Sequence, residues 1–310
     1  MAEIHNYDTN GNVPMNTKKN EKFLFYDYIP TLAKHVLDFP LNRSHRGIIP
    51  KHNYPEFIID NIQEGDIIFV KTDLLKMFFN KIFSQIKNRF VLITGVAGKD
   101  VEKFYRCFLD NNSKIITWIG CNLLFDHPKC FKIPIGFEEP ERRINGPADG
   151  EGGDQNTLEE MFNIQKNISD KNNKLLITYI GDTHGSRQGI KKYFTNKPFV
   201  YFADKLRFKD YMNKINDYKF VLCPRGCGTD THRFWEVLLM GSIPVIEKDG
   251  LVSLYDKFPC IIIDNFQDVT IEMLNNFQID IEKQKNIEKF LIINNFQNMI
   301  LSHIESYIKN

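Results

Sequence analysis

The amino-acid sequence predicts an α/β protein built from two halves, each organised around a parallel β-sheet. Three observations predict it. Short, continuously apolar runs recur along the chain, separated by stretches with apolar residues at three- and four-residue steps. Unbroken apolar strands are the mark of a parallel sheet covered on both faces. One stretch, residues 138–160, is rich in Gly, Pro and acidic residues and interrupts the alternation.

The elements follow in order. Residues 1–20 are polar and predict no element. "GDIIFVKT" (65–72) predicts a buried strand. "DLLKMFFNKIFSQIKNRF" (73–90) predicts a helix, with Leu75, Phe78, Phe79, Ile82, Phe83 and Ile86 on one face and Asp73 as its N-cap. "FVLITG" (90–95) predicts a second strand, and a helix is expected from Asp100 to Leu109. "KIITWIG" (114–120) is the third strand. After the break, strands are expected at 174–181, 199–203, 219–223, 242–247 and 260–264, with helices at 189–194, 210–217 and 231–241. The last stretch, 281–308, has the periodicity of one amphipathic helix. The expected organisation is an N-terminal domain over 1–160, including the linker 138–160, and a C-terminal domain over 161–310 with its closing helix.

Length and composition narrow the function classes. A chain of 310 residues is long enough for two domains of ordinary size. Charged residues make up 25% and the formal net charge is +1, so no basic surface points to nucleic acid. Neither a leader-like apolar segment near the start nor a run long enough to span a bilayer is visible, so a cytoplasmic protein with no membrane insertion is expected. The six cysteines form no disulfide-scaffold pattern, and Cys223 and Cys227 have no partner pair for a zinc site, so no metal is expected. Heavy use of Asn, Lys and Ile fits an A/T-rich genome, such as that of a low-GC microbe or a large DNA virus.

The stretch with chemistry in it is "FVLCPRGCGTDTHRFWEVLLMGSIPVIEKDG", Phe220–Gly250. A strand leads into a turn holding Arg225, Gly226 and Gly228, and a helix follows, with Thr229, Asp230 or Thr231 as its cap and Gly241 at its end. Backbone N–H groups at a helix start, approached through glycines, favour an anion. Arg225 and Arg233 add guanidinium forks that suit phosphate oxygens. Glu236 lies one turn beyond Arg233 on the same face, where it suits a ribose diol. A surface Arg–Glu pair beside an ordinary cap is the other reading of the same spacing. Phe234 and Leu238 are assigned to the core.

This segment resembles the signature of exostosin-like glycosyltransferases (glycosyltransferase family 47), in which a strand, a P-R/C-x-G turn, D-x-x-R-x-x-E and G-x-I-P-V-I recur. "HPKCFKIPIGFE" resembles a second family segment, and "IIFVKTDLL" with "FVLITGVAGKD" resembles a small-enzyme branch; the likeness spans Asp66 to Asp264. The resemblance implies a GT-B fold, with two Rossmann-like domains facing a cleft and the C-terminal helix packing across. It implies a UDP-sugar donor, with UDP-xylose, UDP-galactose and UDP-glucuronate as examples, and a glycan or glycoprotein acceptor. No cofactor or metal is required. Arg187, Arg225 and Arg233 would hold the diphosphate, Glu236 the ribose, and Thr229 and Asp230 would line the same site.

Glycosyl transfer needs a base for the acceptor hydroxyl. Asp100, after the strand "FVLIT", is the first choice, with a helix cap as its other reading. The family pattern there is T-H-x-S-D, whereas this chain reads "TGVAGKD". His127 is the second choice, with a structural loop role as its other reading, and Asp73 the third. "GVAGKD" lacks the spacing and the Ser/Thr of a phosphate-binding P-loop. The reaction expected is a hexosyl or pentosyl transfer, inverting in the first reading, with a retaining transfer as the alternative. A GDP-sugar such as GDP-fucose is the competing donor, and a nucleotide-sugar-binding protein without turnover is the non-enzyme reading.

Overall fold

The computed structural model describes residues 22–38, 56–110, 113–138 and 153–308. Part of the expected linker, 139–152, lies outside the described residues. The chain forms two compact units: Tyr26–Ile133 with the segment from Phe296 onward, and Lys22–Phe25 with Pro134–Asn295. Each contains a five-stranded, wholly parallel sheet, as the α/β pattern predicts. Among the described residues no helix is long and apolar enough to cross a membrane.

In the first unit the strands are β1 (His35–Leu37), β2 (Ile67–Lys71), β3 (Phe90–Gly95), β4 (Ile115–Gly120) and β5 (Cys130–Lys132), in the order β1-β2-β3-β4-β5. β2, β3 and β4 were legible as apolar runs. β1 and β5 were not, because three residues carry too little pattern. The expected regular helix at 73–90 is instead a chain of 3₁₀, α and π turns from Thr72 to Gln85. The consecutive Phe78 and Phe79 at the start of the π turn are both buried. Phe79 stacks on Phe108 with centroids 3.8 Å apart. Asp73 caps nothing here; its carboxylate pairs with Lys99 at 2.8 Å.

The second unit contains β6 (Asn172–Ile177), β7 (Val200–Phe202), β8 (Tyr218–Leu222), β9 (Ile243–Glu247) and β10 (Ile261–Ile263), ordered β10-β9-β8-β6-β7. The chain runs outward from β6 to β7 and returns to the other side of β6 with β8. A helix at Gln155–Asn163, capped by Asp154 and burying Leu158 and Met161, belongs to this unit, so the expected boundary at 160 falls inside it. The His232–Leu239 helix ends at Gly241 (φ +65°), where Ser242 N–H bonds Val237 O and Gly241 N–H bonds Leu238 O, a Schellman cap. Gly136 (φ +68°) is also obligatory, because a Cβ there would lie 2.3 Å from Leu24 O.

The C-terminal periodicity predicts one helix, but the structure has two, Ile281–Leu291 and Ile293–Ile308. Ile292 is extended and bridges Phe23, while Leu24 N–H bonds Leu291 O and Ile293 N–H bonds Lys22 O. The Lys22–Leu24 segment therefore competes for the helix backbone at that point and wins. From Phe296 the second helix belongs to the first unit, where His303 stacks on Phe131 and hydrogen-bonds Thr117 at 2.9 Å.

Candidate anion site at the switch of the second sheet

In an open parallel sheet, ligands bind outside the carboxyl ends of the strands where the strand order reverses. In the second sheet that point lies between β6 and β8. The loops leaving those strands carry Arg187 and Arg225, and the helix after β8 carries Arg233. Pro224 breaks the β8 ladder, since it has no N–H to donate. The turn then closes through a 3.0 Å bond from Gly226 N–H to Gly228 O. Arg187 and Thr183 pack against this turn: a Cβ built on Gly226 would meet Nη2 of Arg187 at 3.4 Å and Oγ1 of Thr183 at 3.6 Å, ordinary contact distances.

The arginines divide their work. Arg187 donates from Nε to Arg225 O at 2.6 Å, from Nη1 to Gly181 O at 3.2 Å and from Nη2 to Pro224 O at 3.2 Å. It is the brace that holds the two loops together as well as a local positive charge. Burial, aided by the neighbouring Arg233 charge, pulls its pKa down to about 10. Arg233 is half-buried. Its Nη2 donates to Tyr179 O at 2.8 Å, whereas its Nε and Nη1 are removed from solvent with no hydrogen-bond acceptor among the described residues. Orphaned guanidinium donors are costly in a folded protein unless a ligand satisfies them.

Behind Arg233 lies a buried polar pair. Glu236, 3% exposed, accepts the Tyr211 hydroxyl at 2.8 Å on Oε2. Burial and the adjacent Glu236 charge push the Tyr211 phenol well above its usual range. Glu236 and Arg233 do share a face, but the carboxylate sits beneath the surface beside Tyr211. Tyr211 was invisible as a site residue because it occupies an ordinary position in the Phe208–Asn216 helix.

Asp230 is a structural hub. Its carboxylate accepts Ile135 N–H at 2.9 Å, Trp235 Nε1–H at 3.0 Å and the Tyr255 hydroxyl at 3.2 Å. Burial raises its pKa to about 7 against the pull of those donors. The Thr231 side chain makes no cap hydrogen bond; Thr231 holds the N-cap position with an extended backbone. His232 reaches back to Gly136 O at 2.8 Å and to Glu138 at 3.4 Å. Phe234 and Leu238 are buried, as assigned. On the far side of the turn from Arg187, a cavity of about 130 Å³ opens at the carboxyl ends of β8 and β9. Arg225, Thr229, Glu247, Lys248, Asp249 and Tyr255 line it, among others.

The base candidates belong to the first unit. Asp100 lies half-buried in the loop after the carboxyl end of β3. The 3₁₀ helix that follows starts at Lys103 with Glu102 in the cap position, so Asp100 is not its cap. The same loop holds Val96 at φ +54°, a strained conformation for a β-branched residue. Tyr26 pins it there, its hydroxyl donating to Ala97 O at 2.7 Å and accepting Ala97 N–H. Asp73, paired with Lys99, stands at the same edge. His127 does not. It immediately precedes β5, and in a parallel sheet the residues before a strand lie at the amino edge, opposite the loops after β2 and β3. Its Nδ1 accepts Lys129 N–H at 3.1 Å, and burial with the nearby Arg106 charge lowers its pKa. The loop role is the one the geometry gives it. Among the described residues no cluster of His, Cys, Asp and Glu suits a metal ion.

Comparison with known proteins yields fold-level likenesses. No family model and no curated protein sequence matches the chain. Among solved structures, AviGT4, a glycosyltransferase involved in avilamycin A biosynthesis, aligns at 8% identity and TM-score 0.40, covering 77% of this chain and 73% of that one. The N-terminal domain of Candida albicans trehalose-6-phosphate phosphatase aligns at 10% identity and TM-score 0.38, covering 80% and 71%. A GtfA/B complex aligns at 8% identity and TM-score 0.40, covering 80% of this chain and 58% of that one. Likenesses of this size decide no activity.

Proposed function

We propose that the chain is a glycosyltransferase of GT-B type that takes its sugar from a nucleoside diphosphate donor, UDP-linked in the first instance. One observation carries the reading: two buried guanidinium donors of Arg233 lack acceptors among the described residues at the sheet's switch point, beside Arg187 and Arg225. A diphosphate supplies acceptors and charge of the right kind. Arg233 and Arg225 bind it, Arg187 sets the turn, and Glu236 with Tyr211 fixes Arg233 in place. The polar cavity beside Arg225 receives the sugar, whose hydroxyls meet Glu247, Lys248 and Asp249.

In the reaction, an acceptor hydroxyl oxygen attacks the anomeric carbon, the bond from that carbon to the diphosphate oxygen breaks, and the acceptor proton passes to a carboxylate. Asp100 is that base, and the transfer inverts the anomeric configuration. The negative charge left on the diphosphate is met by the arginines, without a metal ion.

The test is a panel of UDP-sugars and GDP-sugars assayed for transfer and donor hydrolysis, with Asp100→Asn alongside. Turnover that falls about 10²-fold or more in the variant supports Asp100 as the base. Unchanged turnover removes it from that role. Tight UDP binding with no turnover on any donor replaces the transferase with a nucleotide-sugar-binding protein.

A further inference from the structure

Tyr179 is 56% exposed, an unusual placement for an aromatic residue two positions beyond a buried strand. Its backbone is not loose. Tyr179 O accepts Nη2 of Arg233 at 2.8 Å, and Gly181 O accepts Nη1 of Arg187 at 3.2 Å. The same guanidinium groups that surround the anion site therefore fix the segment on which the ring stands. Gly181 carries no Cβ beneath the ring; one built there would lie 3.7 Å from Tyr179 Cε1. The backbone that carries the ring is thus tied to the arginines, and the ring itself is left open.

A nucleotide sugar has a ring system on each side of its diphosphate. The two flanks of the arginine cluster differ in chemistry. The β8–β9 flank is a cavity with carboxylates and an ammonium, groups that read hydroxyls. The loop after β6 offers instead a bare π face, which suits a planar base. Base–aromatic stacking is tolerant of base identity, because every base has a π face. We propose that Tyr179 is the stacking platform for the base of the bound nucleoside diphosphate, a role that rests on the donor-site reading above.

The experiment is equilibrium titration of the full chain and of Tyr179→Ala and Tyr179→Phe with UDP, GDP and inorganic pyrophosphate. Tyr179→Ala should raise the Kd for UDP and for GDP about tenfold or more, leave pyrophosphate unchanged, and be rescued by Tyr179→Phe. If the unmodified chain binds UDP and Tyr179→Ala binds it equally well, the platform is overturned while the donor site stands. Equal losses for UDP and pyrophosphate also overturn it, since the ring would then serve the turn. If the unmodified chain binds neither UDP nor GDP, the donor-site reading fails and takes the platform with it.

Discussion

Replacing Arg233 puts the whole functional reading at risk. Nε and Nη1 of this side chain are buried donors without acceptors among the described residues, and a phosphate oxygen on each would add two charge-assisted hydrogen bonds. Such bonds contribute about 1.5–3 kcal/mol apiece. Arg233→Met should therefore weaken UDP binding by about 3–6 kcal/mol, or about 10²–10⁴ in Kd. Arg233→Lys retains the charge but not the planar fork, and an ammonium reaches one of the two acceptors. Its loss should be smaller, about 10–100-fold. Titration calorimetry with UDP reads both values. Because Arg233 also neutralises the buried Glu236, thermal melts of each variant must first establish that it is folded. Folded Arg233→Met and Arg233→Lys proteins that bind UDP within about threefold of the parent would refute the argument, since two desolvated donors cannot be satisfied at so little gain.

Two further outcomes concern stability. The native Asp230 carboxyl, raised by burial to about 7 from the ordinary 3.8 of an aspartate, binds a proton that the unfolded chain has already lost between those values, so its contribution to stability is full in acid and declines as pH rises through 7. The decline amounts to about 4 kcal/mol at most, and urea melts of Asp230→Asn against pH should lose that slope while showing lower stability in acid, where Ile135, Trp235 and Tyr255 would face an amide. Lys171 is the opposite case. Its buried ammonium donates to Asn216 O, Asn216 Oδ1 and Met240 O, at the ends of two helices, and burial lowers its pKa to about 8. The unfolded chain holds that proton up to a pH near 10.5, so stability should rise between pH 8 and 10.5, and Lys171→Met should abolish the rise in denaturant melts.

Much of the scaffold was legible in the chain. β2, β3, β4, β6, β8 and β9 each contain a short run of buried apolar residues, and a parallel, doubly covered sheet is the arrangement that buries such runs. The grouping of the arginines was legible too, because Arg225 and Arg233 flank a glycine turn between a strand and a helix, and the fold sets both beside Arg187. Short β1 and β5 escaped, as three residues cannot display a period.

What local pattern could not reveal was how side chains share their bonds. Asp230, Arg187 and His127 look alike as candidates, since each is a polar group near a turn. Only the fold assigns Asp230 to Ile135, Trp235 and Tyr255, makes Arg187 a brace between two loops, and leaves His127 at the amino edge of its sheet. The helix break at Ile292 has the same origin, for its partner Phe23 lies far away in sequence. Periodicity is a property of neighbours along the chain, and it therefore fixes which residues face inward. Hydrogen-bond partnership is settled between segments distant in sequence, so the tertiary structure alone decided that Nε and Nη1 of Arg233 have no acceptor among the described residues, the observation on which the proposed site rests.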